Sequence, residues 1–410
     1  MNTHIQKLPL FSALAALLLQ VGGCGVLSAQ PTRYLHAKQV WTTRDDEVAP
    51  LSRTVRFAVD RTGRVFAPEP NESAIYVYDS TGAYIGAIGR KGSGPGEFRG
   101  TCCAAFDPKG RLWVRDPGGA RYNVFEVGSP TASPIRARPV FVVRLPHSET
   151  NLWIALTFDR YGSLFDLGYK RDPNSPSTAR LLRYLVDTAG TVRNTLELPP
   201  QLTAVTPSFE VKSEIPGGIR TMFYAQPYGP KAIRADGPLG DFAMAGTGKY
   251  EITWRRADGT VRYTIRRDID GPSLADAERR RATTQLASIA KEARVSVSSL
   301  PFGIPERKPP LKSLEFDYDG RLWVERHTPL GAPNESDVFL PNGQYGFTVV
   351  WPSLPNMTFY GASRGKEVWV STEDRDGVTR IVKLALNAAK YTTIPRARYG
   401  SFPGAHVELS

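Results

Sequence analysis

Cysteine, methionine and histidine are scarce in this sequence, and their scarcity narrows the classes of protein that it can encode. The 410 residues include 3 Cys, 4 Met and 5 His. No Cys-x-x-Cys pair and no Cys/His spacing typical of a zinc site occurs. The Gly-x-Ser-x-Gly elbow of serine hydrolases is also absent. The sequence therefore argues against a zinc-stapled domain and against serine hydrolase chemistry.

Long apolar runs are missing after the first residues of the chain. Residues 8–21 (LPLFSALAALLLQV) form an apolar run of 14 residues, which is shorter than the roughly 20 residues that span a bilayer but typical of a signal-peptide core. Residues 21–24 (VGGC) resemble a bacterial lipobox, in which Cys24 would be lipidated, whereas LSA ending at Ala29 is an ordinary cleavage site. Both alternatives stay open.

Either processing site predicts that residues 1–29 are a signal segment and that the protein is exported. The product would be a periplasmic or outer-membrane-anchored lipoprotein, or a secreted protein. Beyond Cys24, the only cysteines are the adjacent Cys102 and Cys103. Free thiols are uncommon in an oxidising compartment, yet neighbouring Cα atoms lie about 3.8 Å apart, below the usual range for a disulfide. The pair is therefore either a strained bridge or two small buried apolar side chains.

Acidic residues are outnumbered, so the chain is basic. It carries a formal net charge of +12, and residues 249–312 alone hold 14 Lys or Arg and 8 Asp or Glu. A basic exported protein can bind anionic lipid head groups or acidic glycans, and the alternative is an ordinary solvated surface. Because the chain is expected to be exported, we do not expect nucleic acid as a partner.

Glycine, proline and aromatic residues are plentiful, and one turn pattern recurs along the chain. The pattern is Asp-x-x-Gly, usually preceded by Phe and followed by apolar residues, and its copies lie at residues 60–63, 107–110, 159–162 and 317–320, with degraded copies within 233–246 and 360–370. The Asp side chain accepts hydrogen bonds from backbone N–H groups of the turn, and the Gly adopts the left-handed conformation that ends it. These aspartates are therefore predicted to be structural.

The repeat predicts the fold class. Apolar alternation on both sides of each turn marks two antiparallel strands, and most units carry a second hairpin, giving a four-stranded unit of about 45 residues. Six such units predict an all-β, six-bladed β-propeller with four-stranded antiparallel blades, forming one domain over residues 31–410. The sixth unit holds only three strands, so residues 34–43 are predicted to supply the fourth and close the ring.

Two insertions interrupt the repeat. Residues 199–229 are proline-rich and are expected to be irregular. Residues 271–310 contain one amphipathic helix of about 20 residues. Ser273 is its expected cap, and its apolar stripe contains Leu286, Ile289, Ala290 and Ala293. We expect this helix outside the propeller or over its mouth.

Residues 75–116 are specific enough to resemble a known family. The stretch IYVYDSTGAYIGAIGRKGSGPGEFRGTCCAAFDPKGRLWVRD is similar to an NHL repeat, which runs from one Asp-x-x-Gly hairpin through a Gly-Ser-Gly-Pro-Gly link to the next. The other units match only at the Asp-x-x-Gly level. The resemblance implies a six-bladed propeller of the kind found in secreted bacterial proteins, in NHL-containing lyases and, more distantly, in gluconolactonase-type enzymes. Most NHL propellers bind protein or RNA partners, and a minority are enzymes.

Propeller topology predicts where a binding site lies. The connections between blades and the loops between the second and third strands of each blade emerge on one face, around the channel mouth. Mixed charges that converge on such a pit indicate a binding site, and the alternative is that they pair with one another and with solvent. The candidate residues are Arg99, Cys102, Cys103, Arg115, Asp116, Glu325, Arg326, His327, Glu373 and Asp374.

From these features we predict a monomeric, exported binding module whose mouth binds a protein segment, a glycan or a small anionic ligand. If Cys24 is lipidated, the anchor would hold the module at a membrane surface. The alternative is a metal-dependent, lactonase-like hydrolase or lyase in the same pit, with calcium or zinc near Glu325 or Glu373. The Glu-Gly-Pro signature of the resembling lactonases is absent, and histidines like those of NHL-type lyases are few, so we expect no cofactor and name no catalytic residue.

Overall fold

The computed structural model describes residues 33–44, 48–53, 56–129, 134–144, 156–172, 175–199, 208–215, 218–388 and 406–409. Within these residues the chain forms six four-stranded antiparallel blades and one α-helix, as the sequence predicts. The signal segment, Cys24 and His147 lie outside the described residues.

The strands follow one another blade by blade. The N-terminal strand is β1 (Tyr34–Thr42). Blade 1 contains β2 (Ala58–Val59), β3 (Val65–Glu69), β4 (Ala74–Tyr78) and β5 (Tyr84–Ile88), and a parallel pair, β6 (Arg90–Lys91) and β7 (Glu97–Phe98), follows it. Blade 2 contains β8 (Ala104–Phe106), β9 (Leu112–Asp116), β10 (Arg121–Val127) and β11 (Ala137–Arg144). Blade 3 contains β12 (Thr157–Phe158), β13 (Leu164–Asp172), β14 (Ser175–Val186) and β15 (Val192–Glu197).

The second half of the ring carries the insertions. A hairpin of β16 (Ser208–Ile215) and β17 (Gly218–Ala225) precedes blade 4, which contains β18 (Ala232–Asp236), β19 (Phe242–Gly246), β20 (Glu251–Arg255) and β21 (Val261–Arg266). The helix α1 (Asp276–Ala293) precedes blade 5, which contains β22 (Leu311–Phe316), β23 (Leu322–Arg326), β24 (Glu335–Phe339) and β25 (Tyr345–Val350). Blade 6 contains β26 (Thr358–Arg364), β27 (Glu367–Glu373) and β28 (Thr379–Ala388), and β29 (His406–Leu409) adds a fifth strand to the edge of blade 4.

The Asp-x-x-Gly turns have the structural role predicted for them. In blade 5, Asp317 Oδ1 accepts the backbone N–H of Asp319 (3.0 Å) and of Arg321 (2.9 Å). Its Oδ2 accepts Arg321 Nε (2.6 Å) and Trp323 Nε1 (2.7 Å). Gly320 has a φ of 74°, in the left-handed region that a side chain would strain. One carboxylate therefore fixes the turn and holds the indole that fills the blade.

Blade 6 shows what the carboxylate contributes, because Ser363 stands where the other blades have Asp. The equivalent tryptophan, Trp369, is 1% exposed, and its Nε1 finds no hydrogen-bond acceptor within the described part of the chain. A buried unpaired donor costs about 1–3 kcal/mol. This indole is held by packing and by Lys383, whose Nζ lies 5.3 Å from the ring centroid.

The predicted closure of the ring is confirmed. Strand β1 pairs antiparallel with β28 as the outer strand of blade 6. It also pairs in parallel with β25 over three residues, which joins blades 5 and 6 into one eight-stranded sheet. Leu35 and Ala37 of β1 are each 5% exposed and pack in one core with Trp323 and Leu384. The N-terminal strand thus supplies both hydrogen bonds and buried surface to the joint.

The two insertions pack on each other. On α1, Leu286, Ile289 and Ala290 are buried against Leu300 and Phe302, with Phe209 and Tyr224 of the β16–β17 hairpin beside them. The helix is confirmed, but the expectation of an irregular 199–229 segment is wrong, because residues 208–225 contain that hairpin.

The predicted helix cap is also wrong. Helix α1 begins at Asp276, after Ala275, and the Glu278 side chain accepts the backbone N–H of Ala275 (3.0 Å). Ser273 instead forms an isolated bridge with Arg307. Because this bridge holds Ser273 in extended backbone away from the helix start, the capping hydrogen bond comes from Glu278, a residue of the helix itself.

Deleting residues 33–44 should abolish cooperative unfolding, because blade 6 would lose its outer strand and expose the edges of β25 and β28. Thermal unfolding followed by near-ultraviolet circular dichroism measures this. Deletion of residues 389–410 is the control, since β29 extends a blade that already has four strands, and it should keep a single transition. A sharp transition in the 33–44 deletion would contradict the closing role of β1.

Candidate functional site

The two ends of the central channel differ in the loops that surround them. Because strands alternate in direction, the Asp-x-x-Gly turns such as those of Asp60, Asp107 and Asp317 lie at one end, which we call the turn face. The connections between blades and the loops between second and third strands lie at the other end, which we call the mouth face.

A cavity of about 510 Å³ lies at the turn face. All six blades line it, through their first strands and the turns that follow. The lining residues lie within 56–64 of blade 1, 104–110 of blade 2, 156–158 of blade 3, 236–239 of blade 4, 316–318 of blade 5 and 360–364 of blade 6. Such a lining identifies the cavity as one end of the central channel.

The cavity combines aromatic walls with an excess of positive charge. Its aromatic side chains are Phe57, Phe106, Phe158, Phe316, Tyr318 and Tyr360, and its cations are Arg56, Arg61, Arg64, Lys109 and Arg364. Its four carboxylates are each paired: Asp60 with Arg64 (2.7 Å), Asp107 with Arg111 (2.6 Å), Asp236 with Arg234 (2.6 Å) and Asp317 with Arg321 (2.6 Å). Arg61 and Lys109 are exposed at the rim and form no ion pair with any described residue.

An ion pair between blades 1 and 5 lies at the inner end of the cavity. Arg56 Nη2 is 2.7 Å from Glu315 Oε1, and Arg56 Nη1 donates to Glu315 Oε2 (3.2 Å) and to the carbonyl of Tyr360 (3.3 Å). The guanidinium also lies over the Tyr360 ring, 5.2 Å from its centroid. Burial raises the pKa of Glu315, and the Arg56 charge opposes that rise. The pair spans blade 6, which separates blades 1 and 5 in the ring.

The predicted mouth residues of blade 2 are mostly buried. Cys102, Cys103, Arg115 and Asp116 are 2%, 1%, 1% and 0% exposed. The two cysteines are free thiols with their Sγ atoms 2.7 Å apart. Asp116 is a turn residue, since it accepts the backbone N–H of Arg99 (3.1 Å) and of Gly119 (3.0 Å).

The predicted residues of blade 5 pair with close neighbours. Glu325 accepts hydrogen bonds from Lys312 (2.6 Å) and Ser313 (2.8 Å). Arg326 pairs with Glu335 and lies 3.2 Å from Asp337. Glu325 is thus paired with side chains of the neighbouring strand, and Arg326 with two carboxylates of β24.

His327, the last of the blade 5 group, lies among lysines. Burial and the charges of Lys308, Lys312 and Lys231 lower the pKa of His327 to about 4, against the opposing charge of Glu278. Lys308 is itself paired with Glu278 of α1 at 2.7 Å. The helix insertion therefore meets the mouth face at blade 5.

In blade 6, Asp374 forms a further turn of the repeating kind, accepting the backbone N–H of Asp376 and Val378 at 3.0 and 2.9 Å. Its neighbour Glu373 donates its backbone N–H to Pro355 (3.3 Å). The ten predicted residues thus fall into three groups, one on blade 2 and the connection that precedes it, one on blade 5 and one on blade 6. That they contact a ligand stays a prediction.

Sequence reasoning did not find the cavity at the turn face or the Arg56–Glu315 pair. A signal was present, because Arg56 directly precedes the apolar first strand of blade 1 (RFAV) and Glu315 lies between Leu314 and Phe316 in the first strand of blade 5 (SLEF). An ionisable residue there faces either the channel or a partner, and the chain alone does not show which.

Within the described residues, no three His, Cys, Asp or Glu side chains come together as a metal site. No helix in the described part of the chain is both long enough and apolar enough to cross a membrane.

Comparison with known proteins supports the class of fold. A family model described as a 6-bladed beta-propeller matches residues 43–101, less than a sixth of the chain. This stretch holds blade 1 and the link to blade 2. The chain is thus a six-bladed β-propeller by its strands and by this match, whereas the NHL type stays a resemblance. No curated protein matches the sequence.

Solved structures with a similar fold are distant from this chain in sequence. Virginiamycin B lyase from Staphylococcus aureus is 13% identical with a TM-score of 0.42, covering 86% of this chain and 100% of its own. A protein from Bacteroides fragilis, provisionally described as exported, is 12% identical with a TM-score of 0.46, covering 87% and 96%. A gluconolactonase from Xanthomonas campestris is 12% identical with a TM-score of 0.34, covering 88% and 99%. At these scores none of them bears on the function of this chain.

The depressed pKa of His327 predicts acid sensitivity. The unfolded chain binds a proton near the ordinary histidine pKa of about 6.5, whereas folded His327 stays neutral down to about 4. The stability contributed by neutral His327 is therefore present above about 6.5 and is lost as the pH falls toward 4. Melting temperatures measured between pH 8 and 4 should fall less steeply for His327→Gln than for the wild type. Parallel curves that differ only by an offset would contradict this.

Proposed function

We propose that this chain is an exported β-propeller that binds a small ligand in the central cavity at the turn face. The ligand carries an anionic group and an apolar body. The observation that carries the proposal is a cavity of about 510 Å³ that is lined by all six blades and contains aromatic rings and excess cations. Its volume falls within the roughly 300–1,000 Å³ of ordinary small-molecule sites.

The charge balance of the lining favours an anion. Each lining carboxylate already has its own arginine partner, so the carboxylates do not neutralise the cations at the rim. Arg61 and Lys109 remain exposed and face solvent at the entrance. Exposed cations around a concave, low-dielectric wall raise the local concentration of anions and speed their entry.

The aromatic residues favour an apolar body on the same ligand. Phe57 and Tyr360 meet edge to face, with ring centroids 6.3 Å apart. Arg364 lies over the Tyr318 ring at 5.1 Å, and its guanidinium holds the carbonyl of Asp60 (3.0 Å). These rings are fixed by contacts between blades, so the wall is preorganised and binding need not order it.

The dye 8-anilinonaphthalene-1-sulfonate, which joins aromatic rings to a sulfonate, is a suitable probe. It should bind the folded protein with one site per chain and gain fluorescence. The double variant Arg61→Ala, Lys109→Ala should weaken binding about tenfold at low salt, since each exposed cation contributes up to about 1 kcal/mol. The same loss should appear in the wild type as salt is raised.

The matched control removes two exposed cations from the connection between blades 1 and 2 at the mouth face, Arg90→Ala with Arg99→Ala. This pair should leave the affinity unchanged. If it weakens binding as much as the turn-face pair, or if neither pair does, the cavity is not the site. Unchanged near-ultraviolet circular dichroism on adding the dye checks that the dye reads the folded state and not a loosened one.

Export is the second part of the proposal, and lipid anchoring through Cys24 is its sharper form. The support is the apolar run of residues 8–21 followed by VGGC. In a bacterial host that performs lipoprotein processing, the full chain should incorporate radioactive palmitate, and Cys24→Ser should lose the label. A processed but unlabelled wild type would favour cleavage after Ala29, and an unprocessed chain in the cytoplasm would overturn export.

A further inference from the structure

We infer that Arg56 is the cation that recognises the ligand's anionic group and that Glu315 is an internal competitor which this group displaces. The inference rests on the proposed function and adds a recognition residue and a coupled proton to it. Ligand entry would then redirect the Arg56 guanidinium from Glu315 toward the cavity.

The Arg56–Glu315 ion pair lies between the central cavity and a much smaller pocket. Arg56 lines the 510 Å³ cavity. Glu315 lines a water-sized pocket of about 10 Å³ between blades 5 and 6, together with Ser313, Glu325 and Ser336. Arg56 therefore faces the ligand side, and its partner faces a small recess on the other side that polar and aromatic side chains line together.

The guanidinium of Arg56 is committed to the pair in the free protein. Its Nη2 and Nη1 reach both oxygens of Glu315 at 2.7 and 3.2 Å, and Nη1 is shared with the carbonyl of Tyr360. Bidentate pairing of this kind is the strong form of an arginine–carboxylate contact. An incoming sulfonate, phosphate or carboxylate has the same acceptor geometry as Glu315 and competes for the same N–H groups.

The surroundings of Glu315 determine what happens to its charge on displacement. The groups that face it are Arg56 before β2, Asp236 at the end of β18 and Glu325 on β23. Tyr360 of β26 and Cys103 before β8 lie next to Arg56. Once Arg56 turns to the ligand, the nearest remaining charges are Asp236 and Glu325, and each of these is paired with its own cation, Arg234 or Lys312. Burial is then the main effect on Glu315, and it favours the protonated form.

Ligand binding should therefore take up a proton. One carboxylate of the protein becomes a carboxylic acid as one anion arrives, so the charge around Arg56 is unchanged. Because the bound state holds more protons than the free state, affinity should rise as the pH falls. The rise ends at low pH, where Glu315 is protonated in both states.

Isothermal titration calorimetry with 8-anilinonaphthalene-1-sulfonate tests the inference, using buffers of different ionisation enthalpy at one pH. The wild type should take up a fraction of a proton, up to one, per dye bound. Glu315→Gln should bind the dye about tenfold more tightly, because a charge-assisted competitor is gone. It should also take up no proton, and its affinity should lose the pH dependence of the wild type.

Two further variants complete the design. Glu278→Gln removes one member of another buried ion pair, with Lys308 on the mouth face, and should change neither affinity nor proton uptake. The double variant Arg56→Gln, Glu315→Gln removes both charges, so it leaves no buried charge unpaired. It should fold and bind the dye at least several-fold more weakly than Glu315→Gln.

The outcomes separate this inference from the proposed function. If the wild type shows no site that depends on Arg61 and Lys109, the proposed function fails. If the wild type binds at that site, yet Glu315→Gln neither tightens binding nor abolishes proton uptake, the cavity stands and the competitor role of Glu315 is wrong. Equal affinities for Glu315→Gln and the double variant would show that Arg56 does not contact the ligand.

Discussion

The hydrogen bonds between β1 and β28 are the constraint on which the rest of the molecule depends. No blade buries both of its faces alone, so each relies on a neighbour at either side, and the series is satisfied only when the last blade meets the first. Strand β1 completes blade 6 and also touches β25 of blade 5. The central cavity exists because this joint is closed, since its lining is drawn from all six blades.

The fold could be predicted from the sequence because its turns are formed by contacts between residues that are close along the chain. Asp317 and Gly320 form their turn with atoms that lie within seven residues of each other, from Asp317 to Trp323. Such contacts leave a pattern that a single sequence displays, and repetition of the pattern gives the number of blades. The sixth unit likewise lacks one strand, and residues 34–43, which precede the first unit, are the segment available to supply it.

The candidate site was less readable, for a physical reason. Loop positions follow from topology, but the burial and pairing of a side chain depend on neighbours that are distant in sequence. Arg115 and Asp116 are the last residues of β9, and topology predicts them at the mouth. Both side chains are buried in the structure. Arg56 and Glu315 lie 259 positions apart and meet only in the closed ring. The sequence does contain a partial signal of the positive cavity. An Arg follows the turn glycine in three blades, at positions 64, 111 and 321. Because this Arg pairs with the turn aspartate, the aspartate does not neutralise the cations at the rim.

The placement of β1 has a mechanical consequence. The strand runs antiparallel to β28 for most of its length, and the chain leaves it toward the N-terminus near Arg33. A force applied from that end pulls β1 along its own axis and not away from the sheet edge. The hydrogen bonds between β1 and β28 then resist this shear together, instead of breaking one after another as they would if β1 were peeled from the edge. An N-terminal tether would thus pull on the ring at its seam, in the direction in which the seam resists most.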